Sequence, residues 1–263
     1  MPVRTGQTDA RYWNLRGAHG GWLAARLLGE MRQLEGPALS PRALTVDYMD
    51  RLHPGGFQVE LRVAARHRHA SFVHATLLQD GRSCVHASAV LATPGAPHER
   101  VLEPPPRGLA RDHPRVDALE ALAAFPAMFD YRFAQGWPRH PTGRGHTHGF
   151  IRPRDERHIT PEMLAMLADA WFPALWSTGE HVTAATVSMS LVFTSNETSF
   201  TLGADDYLQA SFTASALAGD YGDETGELWW PDGRLAVKAQ QLVRYSTGTH
   251  ARLGAASREA ATA

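Results

Sequence analysis

The feature that most limits what this chain can fold into is an internal repeat. Leu78-Gln79-Asp80-Gly81-Arg82 returns 152 residues later as Trp230-Pro231-Asp232-Gly233-Arg234, and at the same offset Val85 meets Val237, Ala87 meets Ala239 and Val90 meets Leu242. One hairpin is used twice. Upstream, Leu44-Thr45-Val46 matches Ala185-Thr186-Val187 at an offset of 141, so the second copy carries about eleven extra residues between the landmarks. The acidic stretch from Asp220 to Glu227, read as a loop, is the expected place for them.

Both copies place one helix ahead of three strands. In the first, Leu23, Leu27, Met31 and Leu34 fall at helical spacing within Gly21 to Leu34, and strands are predicted over Phe57 to Val63, Ser71 to Leu78 and Cys84 to Leu91. In the second, Thr160 suits a helix cap and Pro161 the first helical position. This helix runs towards Trp176, with Pro173 a point where it ends or kinks. Strands follow over Thr186 to Phe193, Tyr207 to Ala214 and Arg234 to Arg244; Phe129 to Phe133 and Gly149 to Arg152 are further candidates before the helix. Met163, Leu164, Met166, Leu167, Trp171, Phe172, Leu175 and Trp176 leave the second helix no polar stripe, so it must be buried all round. A central helix wrapped by a curved antiparallel sheet meets that demand, and two such units give an α+β double hotdog.

Six prolines between Thr93 and Arg115 mark a connection that divides the chain into repeats at 1–92 and 116–250, with a flexible tail over 251–263. The first dozen residues also read as loose. A net charge of −1 gives no global field to draw in nucleic acid or an anionic membrane. The N-terminus lacks the apolar core of a signal peptide, and no apolar run approaches the length of a membrane span. Cys84, the only cysteine, excludes an internal disulfide and a multi-cysteine zinc site and suits a reducing compartment. A soluble, cytoplasmic protein is expected.

Three residues stand out as chemistry. Asp169 is the only charged residue from Met163 to Gly179, and a carboxylate there must be paired, hydrogen-bonded or protonated. It either ties the helix to a neighbouring loop or orients and deprotonates a water. Gln241 interrupts the apolar column Leu235, Val237, Ala239 and Val243, while its counterpart in the first copy is Ala89, so the second half is expected to keep the active residues. Thr186 precedes Val187, Met189, Leu191 and Phe193, and simple alternation puts its hydroxyl on the other face with Ser188 and Ser190. Gln240, on the opposite face from Gln241, reads as a solvated amide.

The order of these motifs resembles the TesB-like type II acyl-CoA thioesterases, which are double hotdogs. The resemblance covers Trp13 to Tyr245. It is carried by His19-Gly20-Gly21-Trp22-Leu23-Ala24, Leu44-Thr45-Val46-Asp47-Tyr48 and Leu78-Gln79-Asp80-Gly81-Arg82, then by Leu167-Ala168-Asp169, Ala185-Thr186-Val187, Asp232-Gly233-Arg234-Leu235 and Gln241-Leu242. It implies hydrolysis of acyl-CoA to free acid and CoA, without a cofactor, by a water held by Asp169, Thr186 and Gln241. Several members carry Asp-His at the second and third places after that Thr, where this chain has Ser188-Met189. Pairing of the two sheets within one chain is implied as well, and further assembly into a homo-oligomer stays open.

Gly20 and Gly21 permit close approach of an anion or oxyanion to a helix start, or equally tight helix packing. Arg66 and Arg68, within Arg66-His67-Arg68-His69, could meet the phosphates of coenzyme A or form a solvated turn. His140, His146 and His148 lie near a Gly-rich turn, but no Asp or Cys completes a metal set, and a polar loop is the reading adopted. No Gly-x-Ser-x-Gly elbow, Walker A or Rossmann glycine pattern occurs. The competing class is a hotdog that binds acyl-CoA or a related lipid without turning it over.

Overall fold

The computed structural model describes residues 1–15, 17–95, 104–106, 113, 115–116, 123–137, 139–179, 182–194 and 199–247. Most of the connection expected over 93–115, and the whole tail over 251–263, lie outside these residues.

The main sheet contains twelve strands. The first half supplies β1 (Val3–Gln7), β2 (Ser40–Tyr48), β3 (Gly56–Arg66), β4 (Ala70–Gln79) and β5 (Arg82–Ala92). The second supplies β6 (Phe129–Gln135), β7 (His146–Pro153), β8 (Val182–Phe193), β9 (Leu208–Thr213), β10 (Leu217–Ala218), β11 (Tyr221–Trp229) and β12 (Leu235–Thr247). The order is β1-β3-β4-β5-β2-β8-β12-β11-β9-β7-β6, with β10 beside β11, and the pairings are antiparallel. The halves join where β2 pairs β8, from Asp47 opposite Ser188 to Ala43 opposite Val192. The repeated hairpins are β4–β5 and β11–β12; Asp80 and Gly81 both adopt positive φ, as the tightest two-residue hairpin turns demand.

Two helices lie against the concave face: α1 (Gly20–Glu35) and α2 (Pro161–Ala170). They run antiparallel, since Gly21 at the start of α1 meets Met166 and Asp169 late in α2, whereas Arg32 near the end of α1 pairs with Glu162 in the first turn of α2 at 2.5 Å. Leu27, Leu28 and Met31 from α1 and Ala165, Leu167 and Ala168 from α2 share one core with the inward faces of the strands. This is a double hotdog, and the wrapped second helix meets the burial that its unbroken apolar surface requires.

Several details depart from the sequence expectation. The amino terminus is not loose: β1 extends the sheet by pairing Val3 to Gln7 with Glu60 to Gly56. The helix expected to run towards Trp176 stops at Ala170; Trp171 is extended, Pro173 forbids continuation, and a separate 3-10 turn covers Ala174–Thr178. The acidic stretch at Asp220 to Glu227 is no loop but most of β11, with Gly222, Glu224, Gly226 and Leu228 facing in. The added residues of the second repeat lie instead between β8 and β9 and between β9 and β11.

Candidate active site

The α2 helix ends inside the protein, where its last carbonyls have no water to turn to. Each finds a side chain from a different element: Ala168 O accepts from Gln241 Nε2 of β12 at 3.5 Å, Asp169 O from His19 at 3.2 Å, and Ala170 O from the Tyr131 hydroxyl of β6 at 3.0 Å. Asp169 therefore sits at a fixed point, with its carboxylate aimed at the start of α1. The Gly21 N–H donates to Asp169 Oδ2 at 2.6 Å, and the positive end of α1 favours that charge.

The two glycines are needed for this approach. A Cβ on Gly21 would lie 2.6 Å from Met166 O, and one on Gly20 would lie 2.8 Å from Asp169 Oδ2. Gly21 thus holds the carboxylate through its N–H, while Gly20 leaves room for it and also lines the cleft.

His19 is the N-cap of α1. Its Nδ1 accepts from the Trp22 N–H at 3.3 Å, so the ring proton resides on Nε2, which faces Asp169 O and, at 3.4 Å, Asp169 Oδ2. Burial pulls the imidazole pKa below its ordinary value, against the opposing pull of Asp169, which keeps the ring neutral in this tautomer. Phe125 stacks on the ring at 4.2 Å. The Tyr48 hydroxyl donates to Gly20 O at 2.9 Å, and burial first, then the Asp169 charge, hold that phenol far above its usual range.

Thr186 joins Asp169 because β8 is irregular. Its pairing with β12 shifts between Thr186 and Ser188, leaving Val187 as the extra residue of a bulge. Thr186 consequently lies opposite Val243 and turns inward with Met189 and Gln241, while Ser188 stays outside and donates to Asp47 at 2.7 Å. The expected placement of Thr186 with Ser188 and Ser190 is corrected by that one residue. The Thr186 hydroxyl donates to Gln241 Oε1 at 2.7 Å and stands 3.4 Å from Asp169 Oδ1. Gln241 is buried between this hydroxyl and the end of α2, a polar set able to position a water against a bound carbonyl.

These groups open on a cleft of about 440 Å³. Its lining includes the polar Asn14, Asp50 and Arg51 and the apolar Trp171, Phe172, Trp176 and Val243. Among the ionisable residues lining it, Glu224 was missed in the sequence. It faces in from β11 directly opposite Gln241, only 3% exposed, and its Oε2 accepts from the Ala174 N–H at 2.5 Å. Burial, reinforced by Asp169 and Asp223 and opposed by the Ala174 N–H, pushes its pKa up to about 8.

Arg66 and Arg68 lie at the β3–β4 turn, away from the cleft lining, with Arg66 paired to Glu35 at 2.8 Å. His146 and His148 are neighbours on the outward face of β7, bonded to Ser211 at 3.2 Å and Gln209 at 3.0 Å, and no cluster of metal-ligating residues occurs among the described residues. Among them, too, no helix is long and apolar enough to cross a membrane.

Family models for the acyl-CoA thioesterase N-terminal and C-terminal domains match residues 9–92 and 99–245. A hot dog fold protein from Alicyclobacillus acidocaldarius superposes with a TM-score of 0.83 at 23% identity over 94% of each chain. An acyl-CoA thioesterase II, TesB2, from Mycobacterium marinum gives 0.72 at 16% identity over 94% of each. A tesB protein from Mycobacterium avium subs. paratuberculosis gives 0.71 at 16% identity over 93% of each. At such identities the superpositions speak for the fold alone. Comparison with the curated proteins returns no match. The two models together span both repeats, and the chain belongs to the acyl-CoA thioesterase family that they describe.

Proposed function

We propose that the protein hydrolyses acyl-CoA thioesters by direct attack of a water held by Asp169, Thr186 and Gln241. The observation that carries this reading is the Thr186 hydroxyl, set 2.7 Å from Gln241 Oε1 and 3.4 Å from Asp169 Oδ1 on the cleft wall. A water beside that hydroxyl would donate to Asp169 Oδ1, which takes its proton as the oxygen attacks the thioester carbon. The Gly20 end of α1, with the helix dipole behind it, offers the developing oxyanion a favourable field. Collapse of the tetrahedral intermediate breaks the C–S bond, and the proton returns to the departing thiolate. The Gly21 N–H holds the carboxylate and His19 holds the Asp169 carbonyl.

We take the soluble, cytoplasmic setting to go with this activity, with 1–92 and 116–250 as the repeats and 93–115 as their connection. The test is release of free thiol from acyl-CoAs spanning acetyl to palmitoyl, by the wild type and by Asp169→Ala and Gln241→Ala, after both variants are checked for folding by circular dichroism. Turnover that collapses in both supports the reading. Saturable binding with no wild-type turnover would make the protein an acyl-CoA-binding module instead.

A further inference from the structure

Glu224 has no part in the reaction just described, yet it is buried in the wall of the same cleft. A carboxyl in that position costs several kcal/mol relative to an apolar residue unless its polar atoms are matched. Only one oxygen is matched by the protein: Oε2 accepts from Ala174 N–H, and Oε1 makes no hydrogen bond with any described residue. Holding the Ala174 N–H requires one acceptor, so a structural role leaves half of the carboxyl unexplained. Glu224 lines the cleft together with the apolar Trp171, Phe172, Trp176 and Val243. Those apolar lining residues suit an acyl group.

A second polar group lies near it. Tyr245 follows Val243 on the inward face of β12; its hydroxyl is buried without a partner among the described residues, and the Glu224 carboxyl helps to raise its pKa. An acyl pocket meant for hydrocarbon alone would gain nothing from the Glu224 carboxyl.

We propose that Glu224 recognises a hydrogen-bonding oxygen on the acyl group, so that the preferred substrate is a hydroxyacyl or oxoacyl thioester rather than an unsubstituted fatty-acyl one. This rests on the thioesterase reading for the reaction but not for the binding. With Oε2 occupied as an acceptor, a proton on the acid lies on Oε1, which donates to a ketone or hydroxyl oxygen of the substrate.

The experiment measures binding of non-hydrolysable S-alkyl-CoA thioethers to the full chain by calorimetry. Four- and eight-carbon chains are used, each plain, with a hydroxyl at C3, or with an oxo group at C3. Wild type should bind a substituted member about tenfold or more tighter than its plain partner, because a buried group left unpaired by the plain chain costs that much. Glu224→Gln, which keeps a neutral donor and acceptor, should retain the preference, and Glu224→Leu should abolish it. Equal affinities in the wild type overturn the proposal without recourse to any variant; a preference that survives in Glu224→Leu overturns it as well. Thiol release from the corresponding thioesters is read separately. Discrimination in binding without release would leave Glu224 assigned and remove the hydrolysis, whereas release without discrimination would remove only the role of Glu224.

Discussion

Thr186 and Gln241 share a 2.7 Å hydrogen bond because Val187 is left out of register between β8 and β12. Without that extra residue the hydroxyl would point out of the concave face, and Asp169 would face a strand with no donor. The bulge re-aims a side chain at the cost of one ladder position.

The hydroxyl itself is therefore the quantity to test. Thr186→Ser should keep most of the activity, and Thr186→Val should lower kcat by about tenfold to a hundredfold with little change in melting temperature, in line with loss of one positioning hydrogen bond. Steady-state thiol release with both variants checks this; equal activity in the Val variant would remove Thr186 from the site.

Gly21→Ala tests the contact between the helices. The added methyl would stand 2.6 Å from Met166 O and 2.9 Å from Asp169 Cβ, both on well-packed elements, so the helices must separate. Overpacking of this kind costs about 1–3 kcal/mol. Thermal unfolding should register that loss, and kcat should fall with it because the Gly21 N–H leaves Asp169 Oδ2.

Glu224 gives the protein an alkaline slope in stability. Its carboxyl keeps a proton up to about pH 8 when folded, whereas the unfolded chain ionises near the ordinary carboxyl value of 4.5, so the unfolded state binds fewer protons in between. Folding stability should therefore decline from about pH 4.5 to about pH 8 and flatten above it. The groups that act on Glu224 electrostatically or by hydrogen bonding are Asp169, Asp223, Tyr245 and the Ala174 N–H. Denaturant unfolding of Glu224→Gln should show a gain over wild type of up to a few kcal/mol that grows between those limits. A pH-independent difference would refute the assignment.

His148 gives the opposite slope on the acid side. Burial, with His146 adding to it, depresses its pKa from 6.5 to about 4, so the unfolded ring takes a proton that the folded ring refuses. Stability should fall as the pH drops from about 6.5 towards 4, by up to about 2 kcal/mol at pH 5. In His148→Gln that acid limb should shrink, as read by urea midpoints at pH 7.5 and pH 5.

Where residues obey a simple period, the sequence discloses them. The Asp-Gly turns, the alternation of Phe57, Val59, Leu61 and Val63, and the apolar spacing of α1 led directly to the repeated hairpins and to a wrapped helix. Asp169 and Gln241 were legible because each breaks an apolar run. The direction of Thr186 was not, since a bulge leaves no mark in an alternating Thr-Val-Ser-Met string and is decided by pairing with β12. Glu224 was hidden among Asp220, Asp223 and Glu227, a composition that reads as solvated. Only its position opposite Gln241 separates it from its neighbours. His19, quoted as part of a motif, shows its role only when α2 ends beside it.

The antiparallel contact of α1 with α2 also bears on how such a chain can change over time. The carboxylate comes from one repeat and the backbone amide that holds it from the other, so neither repeat can be swapped for a relative's, or diverge in its helix start, without answering changes across the seam. Descendants of this chain inherit the pair of helices as a single unit of selection, although the sequence writes them nearly a hundred and fifty residues apart.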